Sequence, residues 1–117
     1  MVADDDPGII DSLKIMLEEF DFEVETTMNG NTVYDIKNEL PDLILLDLWI
    51  SGMDGRDICT HLKSQEATKH IAIIIVSANK DTEHIARACG ADDFLLKPFD
   101  MRVLLGKIDA ALKDISE

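Results

Sequence analysis

Two short runs of uninterrupted apolar residues constrain this chain most: Leu43-Ile44-Leu45-Leu46, and Ile71 to Val76. A strand that is apolar at every position must be covered on both faces, as in a parallel sheet flanked by helices. The segments around these runs are amphipathic. From Pro7 to Phe20, the residues Ile9, Ile10, Leu13, Leu17 and Phe20 recur at helical spacing. Asp6 stands where an N-cap belongs and Pro7 at the first helical position. Further helices are expected over Asn31–Leu40 (closed by Pro41), over Arg56–Glu66 with Ile58, Cys59 and Leu62 inward, and over Thr82–Cys89 (stopped by Gly90). A last helix over Asp100–Ile115 would put Leu104, Leu105, Ile108, Leu112 and Ile115 on one face. Met1 to Ala3, Phe22 to Thr26 and Asp93 to Leu96 complete the strands, and Ser51 to Gly55 reads as a loop. Five β–α units follow one another without a linker. The alternation predicts a single α/β domain over residues 1–117, doubly wound by right-handed crossovers.

Hydrophobic residues make up 46% of the chain and aromatics 5%, so the core must be built from Ile, Leu, Val and Ala. The 24 acidic residues outnumber 11 basic ones, a formal charge of −13 that disfavours direct contact with nucleic acid or an anionic membrane. That surplus reads first as solubility, and second as carboxylates gathered around a cation. Cys59 and Cys89 have no zinc-like spacing and read as buried, reduced thiols. No signal-peptide pattern opens the sequence and no apolar run reaches the length of a membrane span, so a cytoplasmic location is expected.

In doubly wound folds, ligands lie outside the carboxyl ends of the strands. At those ends stand Asp4, Asp5 and Asp6 after the first strand, Asp47 after the third, Ser77 after the fourth and Lys97 with Pro98 after the fifth. Crowded carboxylates repel unless a cation compensates. A hard dication such as Mg2+ (or Mn2+ in its place) takes carboxylate oxygens, a backbone carbonyl and water. A lysine ammonium and a hydroxyl nearby suit the oxygens of a phosphoryl group. Asp47, the most central carboxylate, is the natural nucleophile. Each residue also has an ordinary reading. An acidic run that opens a helix caps it and balances its dipole. Asp47 is then a first loop residue, Ser77 a turn residue and Lys97 a surface charge. Singly, those readings are the better ones; four separate strand ends that agree are harder to dismiss.

The segments VADDDP, LILLDLWISGMDG, IIIVSANK and DDFLLKPF resemble, in order and spacing, the receiver domains of two-component response regulators. The resemblance runs essentially the whole length. It implies a flavodoxin-like (βα)5 domain of strand order 2-1-3-4-5. It implies Asp47 as phosphoacceptor, Asp5 as a direct metal ligand, Asp4 acting largely through water, and the Trp49 backbone carbonyl as a further metal contact. Ser77 and Lys97 would hold phosphoryl oxygens, Phe94 would be the aromatic switch coupled to Ser77, and the peptide bond before Pro98 would be cis. Trp49 and Asn79, each two residues beyond a site residue, would set the lifetime of the phosphorylated state. The donor would be a sensor histidine kinase or a histidine phosphotransfer protein. The output would pass through residues 82–115 to a partner or output domain, and homodimers through the last helices are common in such proteins. The domain would promote only its own phosphorylation and dephosphorylation.

Three features depart from the pattern. The first strand is short, with only Met1, Val2 and Ala3 ahead of the acidic pair, so residues ahead of Met1 are expected in the native protein. Ser51 and Gly52 occupy a loop where proline is common, and the switch is Phe94 rather than tyrosine. No output domain is expected within the chain. Other functions fit less well. A phosphorylation-independent interaction module would have lost one of the acidic pair, the acceptor or the lysine. An aspartate-nucleophile phosphohydrolase places a second carboxylate two residues after the nucleophile, where this chain has Trp49. A flavin carrier needs a Ser/Thr/Gly-rich loop after the first strand, and Asp4-Asp5-Asp6 would repel its phosphate.

Overall fold

The computed structural model describes residues 1–116, with side-chain surroundings through Lys113. Five parallel strands form one sheet: β1 (Val2–Ala3), β2 (Thr26–Thr27), β3 (Leu43–Asp47), β4 (Ala72–Ser77) and β5 (Asp93–Leu96). Their order is β2-β1-β3-β4-β5, as expected. The helices are α1 (Pro7–Glu19), α2 (Gly30–Tyr34), α3 (Gly55–Lys63), α4 (Thr82–Ala88) and α5 (Met101–Ser116). The longest of these has 16 residues, and none among the described residues is long and apolar enough to cross a membrane.

The strand period divides the core into two layers. Leu43, Leu45, Ile74 and Val76 pack with Ile10, Leu13 and Leu17 of α1 and Leu104 and Ile108 of α5. Ile44, Leu46, Ile73 and Ile75 pack on the other side with Val33 of α2, Ile58, Cys59 and Leu62 of α3 and Ala86 of α4. Helices on both faces explain why β3 is apolar up to Asp47 and β4 up to Ser77. Asp6 caps α1 as expected: its Oδ1 accepts from the Gly8 and Ile9 N–H groups at 2.9 and 3.4 Å.

Several elements differ from expectation. The strand expected over Phe22–Thr26 is confined to Thr26–Thr27. Strand status requires a ladder, and β1 offers only Val2 opposite Thr26 and Ala3 opposite Thr27. Phe22 and Val24 are still half-buried against the α1/α5 layer. The helix expected over Asn31–Leu40 stops at Tyr34, where Asp35 caps it, and Glu39 takes a left-handed φ of 50° that no helix continues through. Phe20 lies past the end of α1 and is 57% exposed rather than buried. The helix expected to Glu66 ends at Lys63. The expected loop at Ser51–Gly55 is a small hairpin, Trp49–Ile50 antiparallel to Met53–Asp54, turned by Ser51 and Gly52 with φ of 48° and 81°. Ile115, expected on the inner face of α5, falls outside the described side chains.

Candidate functional site at the carboxyl edge of the sheet

β1 and β3 are adjacent and parallel, with Ala3 opposite Leu46. The residues that follow each strand therefore emerge side by side. Asp4, Asp5 and Asp47 meet there, each offering a carboxylate oxygen within 4.8 Å of the others. β5 brings in Lys97 from the far side: its backbone N–H donates to the Ser77 carbonyl at 2.9 Å, which fixes the end of β5 against the end of β4. The Lys97 ammonium then reaches back across the edge, 3.0 Å from Asp4 Oδ2 and 3.4 Å from Asp47 Oδ1. The Lys97–Pro98 peptide bond is cis, as expected.

The three carboxylates are not equivalent. Asp4 is buried, and both its oxygens are engaged: Oδ2 by Lys97 and Oδ1 by the Asp6 N–H at 2.9 Å. Asp5 is exposed, and its Oδ2 accepts from the Ser51 N–H at 3.1 Å. Asp47 is half-buried. Burial first, and then the charge of Asp4, hold its carboxyl above the usual aspartate range, against the pull of Lys97. Burial works against the Lys97 ammonium, but the hydrogen bond to Asp4 and the charge of Asp47 outweigh it, and the lysine stays charged to higher pH than usual. One ammonium thus compensates three carboxylates only in part. An all-oxygen donor set of this kind, with charge left over, fits a hard dication.

The other expected residues lie around this centre with different degrees of engagement. Ser77 is buried at the end of β4, and its Oγ accepts from the Asn79 N–H at 3.0 Å. Asn79 is exposed; its Oδ1 accepts from the Asp81 N–H at 2.8 Å, and its carbonyl accepts from Thr82 as α4 begins. Trp49 opens the hairpin two residues beyond Asp47 with its side chain on the surface. Phe94 is half-buried on β5, and the Lys107 ammonium sits 4.5 Å from its ring centroid while bonding Asp93 at 2.9 Å. Asp6, named with the acidic run, serves as the α1 cap and does not join the cluster.

Some contributors carried no sequence signal. Ser51 matters through its backbone, which pins Asp5, while its hydroxyl bonds the Met28 carbonyl. Gly55 donates its N–H to the Leu48 carbonyl at 2.6 Å, and a Cβ on it would lie 2.6 Å from the Asp47 carbonyl. Its lack of a side chain lets α3 start directly beneath the Asp47 backbone. The Asp-Gly pair at 54–55 hints at such a turn, but not at what it packs against.

A model of the response regulator receiver domain matches residues 1–109. The chain is 34% identical over 116 residues to the DNA-binding response regulator MtrA of Mycolicibacterium smegmatis, covering 97% of this chain and 50% of that protein. It thus spans about half the length of the curated relatives it matches. The receiver domain of a signal transduction histidine kinase from Syntrophus aciditrophicus superposes with a TM-score of 0.86 at 32% identity, covering 97% of this chain and 89% of that one. The receiver domain of NtrX from Brucella abortus does so with a TM-score of 0.85 at 27% identity, covering 96% of each chain.

Proposed function

The chain belongs to the response regulator receiver domain family, and we propose that it accepts a phosphoryl group on Asp47 and relays that event as a change of shape. The observation that carries this reading is the single lysine bridging Asp4 and Asp47 beside a third carboxylate at the carboxyl edge of the sheet. A carboxylate oxygen of Asp47 attacks phosphorus in line, the P–N bond of a phosphohistidine breaks, and its electron pair returns to the imidazole. Asp5, Asp47 and the Trp49 carbonyl would hold Mg2+ or Mn2+ directly, with Asp4 contributing through water because its oxygens are already engaged. Bound there, the dication offsets charge on the phosphoryl oxygens. Lys97 exchanges its contact with Asp47 for a phosphoryl oxygen. The Ser77 hydroxyl accepts from Asn79 and keeps its own proton to donate to another oxygen.

Movement of Ser77 toward the phosphoryl group opens space for Phe94 to turn inward from beneath Lys107. The result is read on the face formed by α4, β5 and α5, where Leu96 and Val103 are the large exposed apolar residues among those described. The phosphoryl donor is a histidine kinase or a histidine phosphotransfer protein, the site of action cytoplasmic, and the output a partner or an attached domain rather than nucleic acid. The only reactions promoted are phosphorylation and dephosphorylation of the domain itself.

The test is titration of Mg2+ and then beryllofluoride, a phosphoryl mimic, read by the fluorescence of Trp49, the only tryptophan. Two saturable steps are expected, and Asp47→Asn should lose the beryllofluoride step. A folded wild-type chain that answers neither ligand would leave a phosphorylation-independent interaction module as the better reading.

A further inference from the structure

The mechanism leaves two nucleophiles unused. Cys59 on α3 and Cys89 at the C-cap of α4 both lie in the core layer between those helices and the sheet. They come from different elements yet meet: the Cys59 Sγ donates to the Cys89 carbonyl at 3.4 Å, and the Cys89 Sγ donates to the Ala86 carbonyl at 3.4 Å. Their inequality matters for chemistry. Cys59 is fully enclosed, whereas Cys89 retains 7% exposure at the end of a seven-residue helix, beside Gly90, whose φ of 83° reverses the chain. Cys89 is held the more acidic of the two and Cys59 the less acidic: the neighbouring thiol is the leading cause at each, and burial adds to it at Cys59. Cys89 is therefore the attacking sulfur and Cys59 the resolving one.

We propose that Cys59 and Cys89 are a redox modification site that closes to an intramolecular disulfide in exchange with a low-molecular-weight disulfide of the glutathione class. The Cys89 thiolate attacks one sulfur of the oxidant, whose S–S bond breaks and whose other half leaves as a thiolate. Cys59 then gives up its proton and attacks the Cys89 sulfur of the mixed disulfide, and the second half leaves as a thiolate. Two protein thiols are oxidised and one small disulfide is reduced to two thiols. The bridge ties the end of α4 to α3. The other end of α4 begins at the loop that follows Ser77, so the oxidised form holds in place a helix of the output face.

The full chain is incubated with oxidised glutathione, quenched in acid, alkylated under denaturing conditions and weighed intact. The expected product is a monomer about 2 Da lighter than the reduced chain, with no alkylatable thiol and with the peptides carrying Cys59 and Cys89 linked. Hydrogen exchange of the α4 amides should slow by about tenfold in that form and recover on reduction. Cys59→Ser should stop at the glutathione adduct on Cys89. Two free thiols after an oxidation that is complete for a small dithiol control would overturn the proposal. So would an adduct on Cys89 in wild type that never resolves, a bridge between two chains, or a disulfide that leaves α4 exchange unchanged.

Discussion

Asp47 carries the main tension of the molecule. Folding buries its carboxyl beside Asp4, and the charged form is disfavoured relative to the unfolded chain. A carboxyl whose folded pKa lies above its unfolded value adds stability at low pH and loses it as pH rises through the folded value. Asparagine has nothing to lose. Asp47→Asn should therefore melt higher than wild type at neutral pH without metal, by on the order of 1 kcal/mol. The gap should close as pH falls below the aspartate range. Mg2+ should raise the melting temperature of wild type and leave the variant almost unmoved, because a ligand stabilises only the state that binds it. Thermal scans at two pH values, with and without Mg2+, decide this; a variant less stable at neutral pH would show that the Lys97 contact outweighs the repulsion. Trp49 is the second residue to test. It is 59% exposed and stands two positions beyond the acceptor. Trp49→Asn should shorten the aspartyl phosphate half-life several-fold in a phosphate-release assay, and an unchanged half-life would reduce Trp49 to a cover for the sheet end.

The elements matter because of where they end. Gly55 is the clearest case, since α3 begins under the Asp47 backbone and a methyl group has no room there. Neither neighbour is a flexible side-chain tip: the atoms in the way are the Asp47 carbonyl and, at 3.1 Å, the Leu48 backbone. Gly55→Ala should cost about 1–3 kcal/mol and weaken Mg2+ binding by displacing Asp47, both measurable on one sample by denaturant unfolding and metal titration. A variant with full Mg2+ affinity would show that the strain is absorbed within α3. This element also marks the limit of what the sequence discloses. Leu43–Leu46 and Ile71–Val76 announce buried strands because runs apolar on both faces and this short suit a covered strand rather than a helix. The order of acidic, hydroxyl and basic residues at the strand ends follows once those strands are placed. Asn31–Leu40 misleads because the helix stops short: it ends at Tyr34, whose ring stacks on His61 with centroids 3.7 Å apart, the chain turns at Asp35, and Glu39 takes a left-handed φ. Phe22–Val24 has strand character but no neighbour to pair with. The pairing of Ser51 N–H with Asp5, and of Lys107 with Phe94, joins residues whose proximity depends on the complete fold.

At the scale of the whole molecule, the acidic surplus becomes a field. The radius of gyration is 12.9 Å, and the Debye length is about 30 Å at 0.01 M salt and about 8 Å at 0.15 M. In dilute buffer, then, every carboxylate feels most of the others, whereas at physiological ionic strength only neighbours interact. Lys63, Lys97 and Lys107 are committed to Asp92, to Asp4 and Asp47, and to Asp93, so they offset local charge rather than the general excess. A net charge of −13 destabilises a compact state by self-repulsion. Screening should relieve it, and the melting temperature of the metal-free chain should rise by several degrees, roughly 1 kcal/mol, as NaCl increases from dilute to physiological strength. Asp47→Asn should show nearly the same salt slope, since it removes one charge of many. Mg2+ added at constant ionic strength should then produce a further rise in wild type alone. The two responses separate a field that belongs to the whole surface from a site that belongs to three residues. If Mg2+ acted equally on both proteins at fixed ionic strength, the cation would be screening the surface and the carboxylate cluster would not be its site. If NaCl had no effect while Mg2+ stabilised wild type alone, the surplus would be too dispersed to matter, and the repulsion worth relieving would be confined to Asp4, Asp5 and Asp47.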